Sequence, residues 1–220
     1  MGRARVAPAL AAAVLAASCA GQCGARGGLP PGRPPTVTGP DGQKYHLVDK
    51  GAYKAFYDAW GRLQRIEYDS NGDGRPDHTA LHAGKHHPYE IDVDADFDGK
   101  TDRWELYDDE GKLVKVGTAK APGLAPNLWT SAPVPGQPER REHDEDGDGR
   151  MERVEVARDG RVTEVQVDGD RDGRIDRWQR RENGRLVSED LDTDRDGKAD
   201  RTVRYDPRGK VLGLEPIAPR

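Results

Sequence analysis

Twenty residues of this chain recur in a pattern that suits metal coordination. The pattern is D-x-D/N-x-D-G-x-x-D/E, and it occurs five times. Positions 1, 3, 5 and 9 are Asp69, Asn71, Asp73 and Asp77 in loop 1, and Asp94, Asp96, Asp98 and Asp102 in loop 2. They are Asp144, Asp146, Asp148 and Glu152 in loop 3, and Asp168, Asp170, Asp172 and Asp176 in loop 4. Loop 5 carries Asp192, Asp194, Asp196 and Asp200. A hard cation such as Ca²⁺ takes six to eight oxygens at about 2.3–2.6 Å. Carboxylates at 1, 3 and 5 of a curled loop point to one side. Gly at position 6 allows the sharp turn, residue 7 offers a carbonyl, and residue 9 adds another oxygen. Loop 1 has Asn71 in place of a charge and is expected to bind most weakly. Glu152 has a longer arm that can reach an ion directly. The rival reading is a set of Asp-Gly turns on a wet surface. Arg103, Arg153, Arg177 and Arg201 each follow position 9 directly and could neutralise the acids without metal. That reading leaves acids at four fixed positions unexplained, so calcium is the expected ligand.

The elements that position these loops follow from their period. Loop starts are 25, 50, 24 and 24 residues apart, so one loop is missing near residue 119. Between loops lie short alternating runs such as Trp104-Glu-Leu106 and Val154-Glu-Val156, then turns ending in Gly111, Gly160, Gly184 and Gly209. Asn-Gly and Asp-Gly between such runs are hairpin signals. After each turn the apolar residues change register, as in Val162, Val165 and Val167, which predicts a bulge beside the turn. The expected fold class is all-β: tandem β-hairpin repeats linked by calcium-binding loops, stacked as a solenoid-like or irregular sheet array. Single units are too small to bury a face alone, so neighbours must share one. Trp104 and Trp178 occupy the same place in their repeats and are expected to pack over the next hairpin.

The loops resemble the first nine residues of EF-hand loops, thrombospondin type 3 repeats and the strand-joining calcium loops of integrin-type FG-GAP repeats. The EF-hand pattern also asks for Glu at position 12, yet these positions are Ala80, Glu105, Glu155, Gln179 and Val203. The segments Tyr57-Asp58-Ala-Trp-Gly61-Arg62-Leu63, Tyr107-Asp108-Asp-Glu-Gly111-Lys112-Leu113 and Tyr205-Asp206-Pro-Arg-Gly209-Lys210-Val211 resemble the YD-repeat pattern of surface proteins. These resemblances imply calcium-dependent rigidity and a place on a cell surface. They cover roughly 55–118 and 141–215.

The N-terminus predicts export. Arg3 and Arg5 precede an Ala-rich apolar stretch, Val6 to Ala17. It is too short to span a bilayer, which needs about 20 residues, and suits a signal peptide. Leu15-Ala16-Ala17-Ser18-Cys19 resembles a bacterial lipobox, which implies lipidation of Cys19 and a membrane link through that anchor alone. Ala20 after the Cys favours the outer membrane by the same resemblance. The alternative is ordinary secretion with Cys19 and Cys23 paired. The expected organisation is a signal peptide over 1–18, a flexible tether over 19–36 and a first hairpin and calcium-loop block over 37–118. A Pro-rich insert over 119–140 then splits the array, and a second block spans 141–220.

Composition excludes several classes. Hydrophobic residues are 34% and mean hydropathy is -0.94, which leaves no large oily core and no multi-span membrane protein. Net charge is -5, from 35 basic and 40 acidic residues, so no nucleic-acid partner is expected. No nucleophile elbow, P-loop or zincin motif occurs, and an enzyme is not expected. Glu164, Glu182 and Glu189 are the spare acids a hydrolase would have to use. The cluster His78, His82, His86 and His87 offers a transition-metal alternative, with His82 and His86 flanking a turn. The function expected is therefore a calcium-binding surface protein with a structural or adhesive role. The alternative is a carbohydrate- or protein-binding module using Trp104, Trp129 and Trp178.

Overall fold

The computed structural model describes residues 32, 34–121 and 123–217. The expected signal peptide, Cys19 and most of the tether lie outside the described residues. No helix is long and apolar enough to cross a membrane among those described.

Among the described residues, sixteen strands follow one another in a single antiparallel sheet whose spatial order is the chain order. They are β1 (Thr36–Thr38), β2 (Lys44–Asp49), β3 (Tyr53–Tyr57), β4 (Leu63–Tyr68), β5 (His78–Leu81), β6 (Glu90–Val93), β7 (Arg103–Tyr107) and β8 (Leu113–Thr118). There follow β9 (Leu128–Ser131), β10 (Glu139–His143), β11 (Arg153–Arg158), β12 (Arg161–Val167), β13 (Arg177–Glu182), β14 (Arg185–Leu191), β15 (Arg201–Tyr205) and β16 (Val211–Pro216). The fold is thus the tandem hairpin array that the turn spacing predicts. Each strand pairs only with its sequence neighbours, so every connection is a local turn or loop.

Connections alternate between two edges of the sheet. One edge carries the tight turns. The other carries all five acidic loops, because each loop joins an even-numbered strand to the next odd one. The register slips expected beside the turns occur after Phe56, Leu106, Val156, Arg180 and Arg204. An extra residue there restores the strand twist that the turn demands.

The array is not split at residues 119–140. β9 pairs with both β8 and β10, and the sheet runs through this stretch unbroken. Prolines are tolerated because they fall outside the strands, at Pro126, Pro133, Pro135 and Pro138. The segment between β8 and β9 takes the place of the missing loop in the chain order. Asn127 N–H donates to the Thr118 carbonyl, and Asp144 N–H donates to the Asn127 carbonyl, as the ninth residues of acidic loops do elsewhere.

The core is a row of side chains across one face. Ala55, Ile66, Ala80 and Ile91 stand opposite one another on successive strands. All four are at most 3% exposed, and Tyr57 and Val93 complete their cluster. The same row continues through Glu105, Val116, Thr130, Arg141, Glu155, Val165, Gln179 and Glu189. The opposite face holds a row with three tryptophans: Trp104, Gly117, Trp129, Glu142, Val154, Gln166 and Trp178.

Candidate metal centres

Each acidic loop is wound by its own carboxylates. The position-1 Asp accepts from the N–H of the position-6 Gly in all five: Asp69 from Gly74, Asp94 from Gly99, Asp144 from Gly149, Asp168 from Gly173 and Asp192 from Gly197, at 2.7–2.9 Å. The position-5 Asp accepts from the N–H of residue 7 at 2.8–2.9 Å. Position 3 accepts from the N–H of residue 5 in every loop. Position 9 reaches back to the N–H of residue 2, as Asp77 to Ser70, Asp102 to Ala95, Glu152 to Glu145 and Asp200 to Thr193. These bonds curl the carboxylates inward, and a carboxylate with one such bond keeps further lone pairs for an ion.

The winding requires left-handed backbone at two places. The position-6 glycines have φ of 87–90°. Position 4 is left-handed as well: Gly72, Phe97, Gly147, Arg171 and Arg195. Position 4 shows no single residue type across the five copies. Gly72 and Gly147 were the available signal, masked by the larger residues in the other copies.

Four loops gather oxygens that could hold a metal ion. Asp144, Asp146, Asp148 and Glu152 bring one oxygen each to within 4.8 Å of one another. Asp94, Asp96 and Asp102 do the same, as do Asp168, Asp170 and Asp176, and Asp192, Asp194 and Asp196. Asp98, Asp172 and Asp200 stand outside those groups. Asp200 is held by Thr193, whose side-chain and backbone hydrogen bonds keep its carboxyl below the usual range.

Loop 1 gathers no such group. Its Asp77 is buried and turned to its neighbours, accepting from Ser70 and contacting His78. Burial alone would raise the Asp77 carboxyl. The hydrogen bonds from His78 and Ser70 outweigh burial and hold it low. With Asn71 at position 3, this loop is the least prepared of the five.

Among the four loops that gather oxygens, burial singles out loops 3 and 4. Asp144 and Glu152 are 3% and 5% exposed, and Asp168 is 4% exposed. Asp168 Oδ1 is buried and accepts no hydrogen bond. An unpaired carboxylate oxygen removed from water is costly unless a cation or donor meets it. The all-oxygen donor set and this orphaned oxygen fit a hard cation.

The arginines after position 9 do not neutralise the loops as a class. Arg103 and Arg153 turn to Glu105 and Glu155 on the sheet face. Arg177 and Arg201 approach position 9 only at 3.5 and 4.0 Å. Glu105 and Glu155, which an EF-hand would use as bidentate ligands at position 12, therefore lie in the cross-strand row rather than at the loops. Other arginines tie loops together. Arg171, at position 4 of loop 4, reaches Asp146 of loop 3 at 3.3 Å, and Arg195 of loop 5 reaches Asp170 of loop 4 at 3.1 Å.

The histidines do not assemble a second centre: no three of them bring ligand atoms together among the described residues. His78 serves Asp77, and His82 is buried at the turn edge. His86 and His87 have ring centroids 4.8 Å apart. Trp60 is exposed in its turn, whereas Trp129 packs on the sheet. The ring of Trp129 lies so close over Gly117 that a Cβ there would meet it at 2.8 Å, and the Lys115 ammonium stands 4.7 Å from the ring centroid. Trp104 and Trp178 are half-buried on the same face. Glu164, Glu182 and Glu189 form no acid pair: Glu164 accepts from Gln166, Glu189 from Gln179 and Tyr205, and Glu182 is exposed at a strand end.

A comparison with protein-family models gives no match, and no curated protein matches the chain.

Proposed function

We propose that this chain is an exported calcium-binding repeat protein with a structural or adhesive role at the cell envelope. The observation that carries the reading is the convergence of carboxylate oxygens in four loops, with the buried, unpaired Oδ1 of Asp168 in one of them. Calcium is the cation best suited, because carboxylates with a flexible loop carbonyl accommodate its higher coordination number. When bound, it supplies charge neutralisation and cross-links the loop. The chain's own residues curl the loop, hold position 1 against the Gly N–H and bring position 9 across.

The loops are also connected to each other. Asp94 N–H donates to the carbonyl of Asp77, Asp168 N–H to that of Glu152, and Asp192 N–H to that of Asp176. Position 9 of one loop thereby fixes position 1 of the next, and these successive loops repeat every two strand spacings, or roughly 9–10 Å. Filling one loop stiffens its neighbour, which suits a load-bearing or spacing element more than a calcium buffer. The lipobox-like Cys19 and the YD-like hairpins support placement at the envelope, and this reading assigns no catalytic residue. The alternative, glycan or protein binding through tryptophan, rests on the shared face of Trp104, Trp129 and Trp178.

A calcium titration of the chain, begun in chelator and followed by calorimetry and circular dichroism, tests the reading. Several ions bound per chain with a gain in β signal is the expected result. No binding heat at millimolar calcium would overturn it.

A further inference from the structure

The face that carries the core row is not filled evenly, and the reason is a departure from the repeat. At the residue just after the register slip, β3, β7 and β15 carry Tyr57, Tyr107 and Tyr205. These rings lie over the sheet: Tyr107 O–H donates to Glu105 at 2.5 Å, and Tyr205 O–H to Glu189 of the neighbouring hairpin at 3.2 Å. The same position holds Ala157 in β11 and Arg181 in β13. Ala157 supplies too little volume to cover the sheet, and Arg181 brings charge instead of a ring.

A groove of about 510 Å³ opens there. Val162 and Val165 form an apolar floor, and Arg153, Arg161 and Arg181 stand round it with Glu155 and the Asn183–Gly184 turn. This size lies within the ~300–1,000 Å³ of small-molecule sites. Three guanidinium groups face one carboxylate. Glu155 is already held by Arg153 at 2.5 Å, with Arg141 and His143 at 4.0 and 3.9 Å. Arg181 donates one bond, to the neutral oxygen of Gln179 at 3.1 Å, and Arg161 has no acidic partner among the described residues. The Nε atoms of Arg153 and Arg181 are buried and unpaired. Buried guanidinium N–H groups without acceptors favour an incoming oxyanion, which the fork geometry can grip through two parallel bonds.

We propose that this groove binds a small ring-bearing oxyanion: a sugar or aryl unit carrying a sulfate or carboxylate, its ring on Val162 and Val165 and its charge between Arg181 and Arg161. The groove runs from Arg153, next to loop 3, to the turn edge, where Arg161 and the Asn183–Gly184 turn lie.

The test uses the full chain in calcium-containing buffer. Its probes are p-nitrophenyl sulfate and p-nitrophenyl glucuronide, with uncharged p-nitrophenyl glucoside as the comparison, all followed by calorimetry. At least one anion is expected to bind, with the glucoside at least tenfold weaker. Sulfate alone, glucuronide alone or both would each support the site and identify its oxyanion. Arg181→Tyr, which installs the ring found in β3, β7 and β15, is expected to lower affinity more than tenfold with an unchanged circular dichroism spectrum. Arg161→Ala, at an exposed position, gives the same readout if the tyrosine variant does not fold. No binding of either anion, glucoside binding as tight as the anions, or full affinity in the folded variants would overturn the proposal.

Discussion

One row of the sheet divides the molecule into two kinds of structure. Across β3 to β6 it reads Ala55, Ile66, Ala80 and Ile91, and all four are buried. Across β10 to β14 it reads Arg141, Glu155, Val165, Gln179 and Glu189, of which only Val165 is buried. The first region is held by apolar contact and needs little from its loops, one of which lacks a charge at Asn71. The second has ion pairs and amide bonds on its face, and exposed pairs contribute little net stability. It also has three fully acidic loops at its edge, two of them with buried position-1 carboxylates at Asp144 and Asp168. The same backbone array is therefore stabilised by packing at one end and, in our reading, by metal at the other.

Calcium withdrawal gives the largest effect and separates the two regions. In chelator, amide hydrogens of β11 to β15 are expected to lose most of their exchange protection while those of β3 to β7 keep theirs. Simultaneous loss in both would break the comparison. Asp168→Asn should weaken the loop 4 site at least tenfold, whereas Asp69→Asn should change little. Calorimetry on the two variants makes the contrast quantitative.

Ile91→Ala probes the other mode of support. Ile91 is 0% exposed, and removing its methyl and methylene groups should cost about 3 kcal/mol in denaturant unfolding of the first region. Val165→Ala removes less buried surface and should cost about 2 kcal/mol. A larger loss at Val165 would mean that the second region has an apolar core of its own. Gly197→Ala is milder. The glycine has φ of 87° and no atom within 4 Å of an added Cβ. The cost, about 1 kcal/mol, is purely conformational, and it should appear both as a lower midpoint and as weaker ion binding at loop 5.

The loops and hairpins were legible because each is specified locally. Asp-x-Asp-x-Asp-Gly encodes its own winding, and Asp-Gly or Asn-Gly turns such as Asp159-Gly160 encode theirs. Even the missing sixth loop was legible from the period, and the connection between β8 and β9 takes its place. What sequence could not give depends on neighbours. β9 was hidden by five surrounding prolines, because only the free edges of β8 and β10 make Leu128–Ser131 a strand. The destination of Glu105 was equally hidden. Its spacing matches a metal ligand, but strand alternation carries it onto the sheet beside Ile91 and Val116. Position-4 arginines bridging to the previous loop depend on stacking distance, which no single repeat records.

The smallest predicted effect concerns His82, a buried histidine. His82 occupies the place of Tyr57 and Tyr107 in its repeat and is 6% exposed, with Nδ1 buried and unpaired. Burial lowers its pKa, with His87 and His86 adding to the shift and a hydrogen bond to the Lys85 backbone opposing it. In the unfolded chain the imidazole titrates near 6.5. Below that pH the unfolded state takes a proton that the folded state resists. Stability of the first region should therefore hold above about pH 6.5 and fall as the pH drops below it. Asp92 of β6 titrates in the same window, because burial and then Glu90 push its carboxyl up to about 6, and its effect opposes that of His82. Thermal unfolding between pH 7.5 and 5.5 therefore needs a variant that removes the histidine alone. His82→Tyr restores the residue of the sister repeats and removes the titrating group. Its midpoint should fall less across that window than the parent's, and only for the first region. An equal slope in the variant would detach the pH response from the buried histidine and point to other groups, Asp92 first.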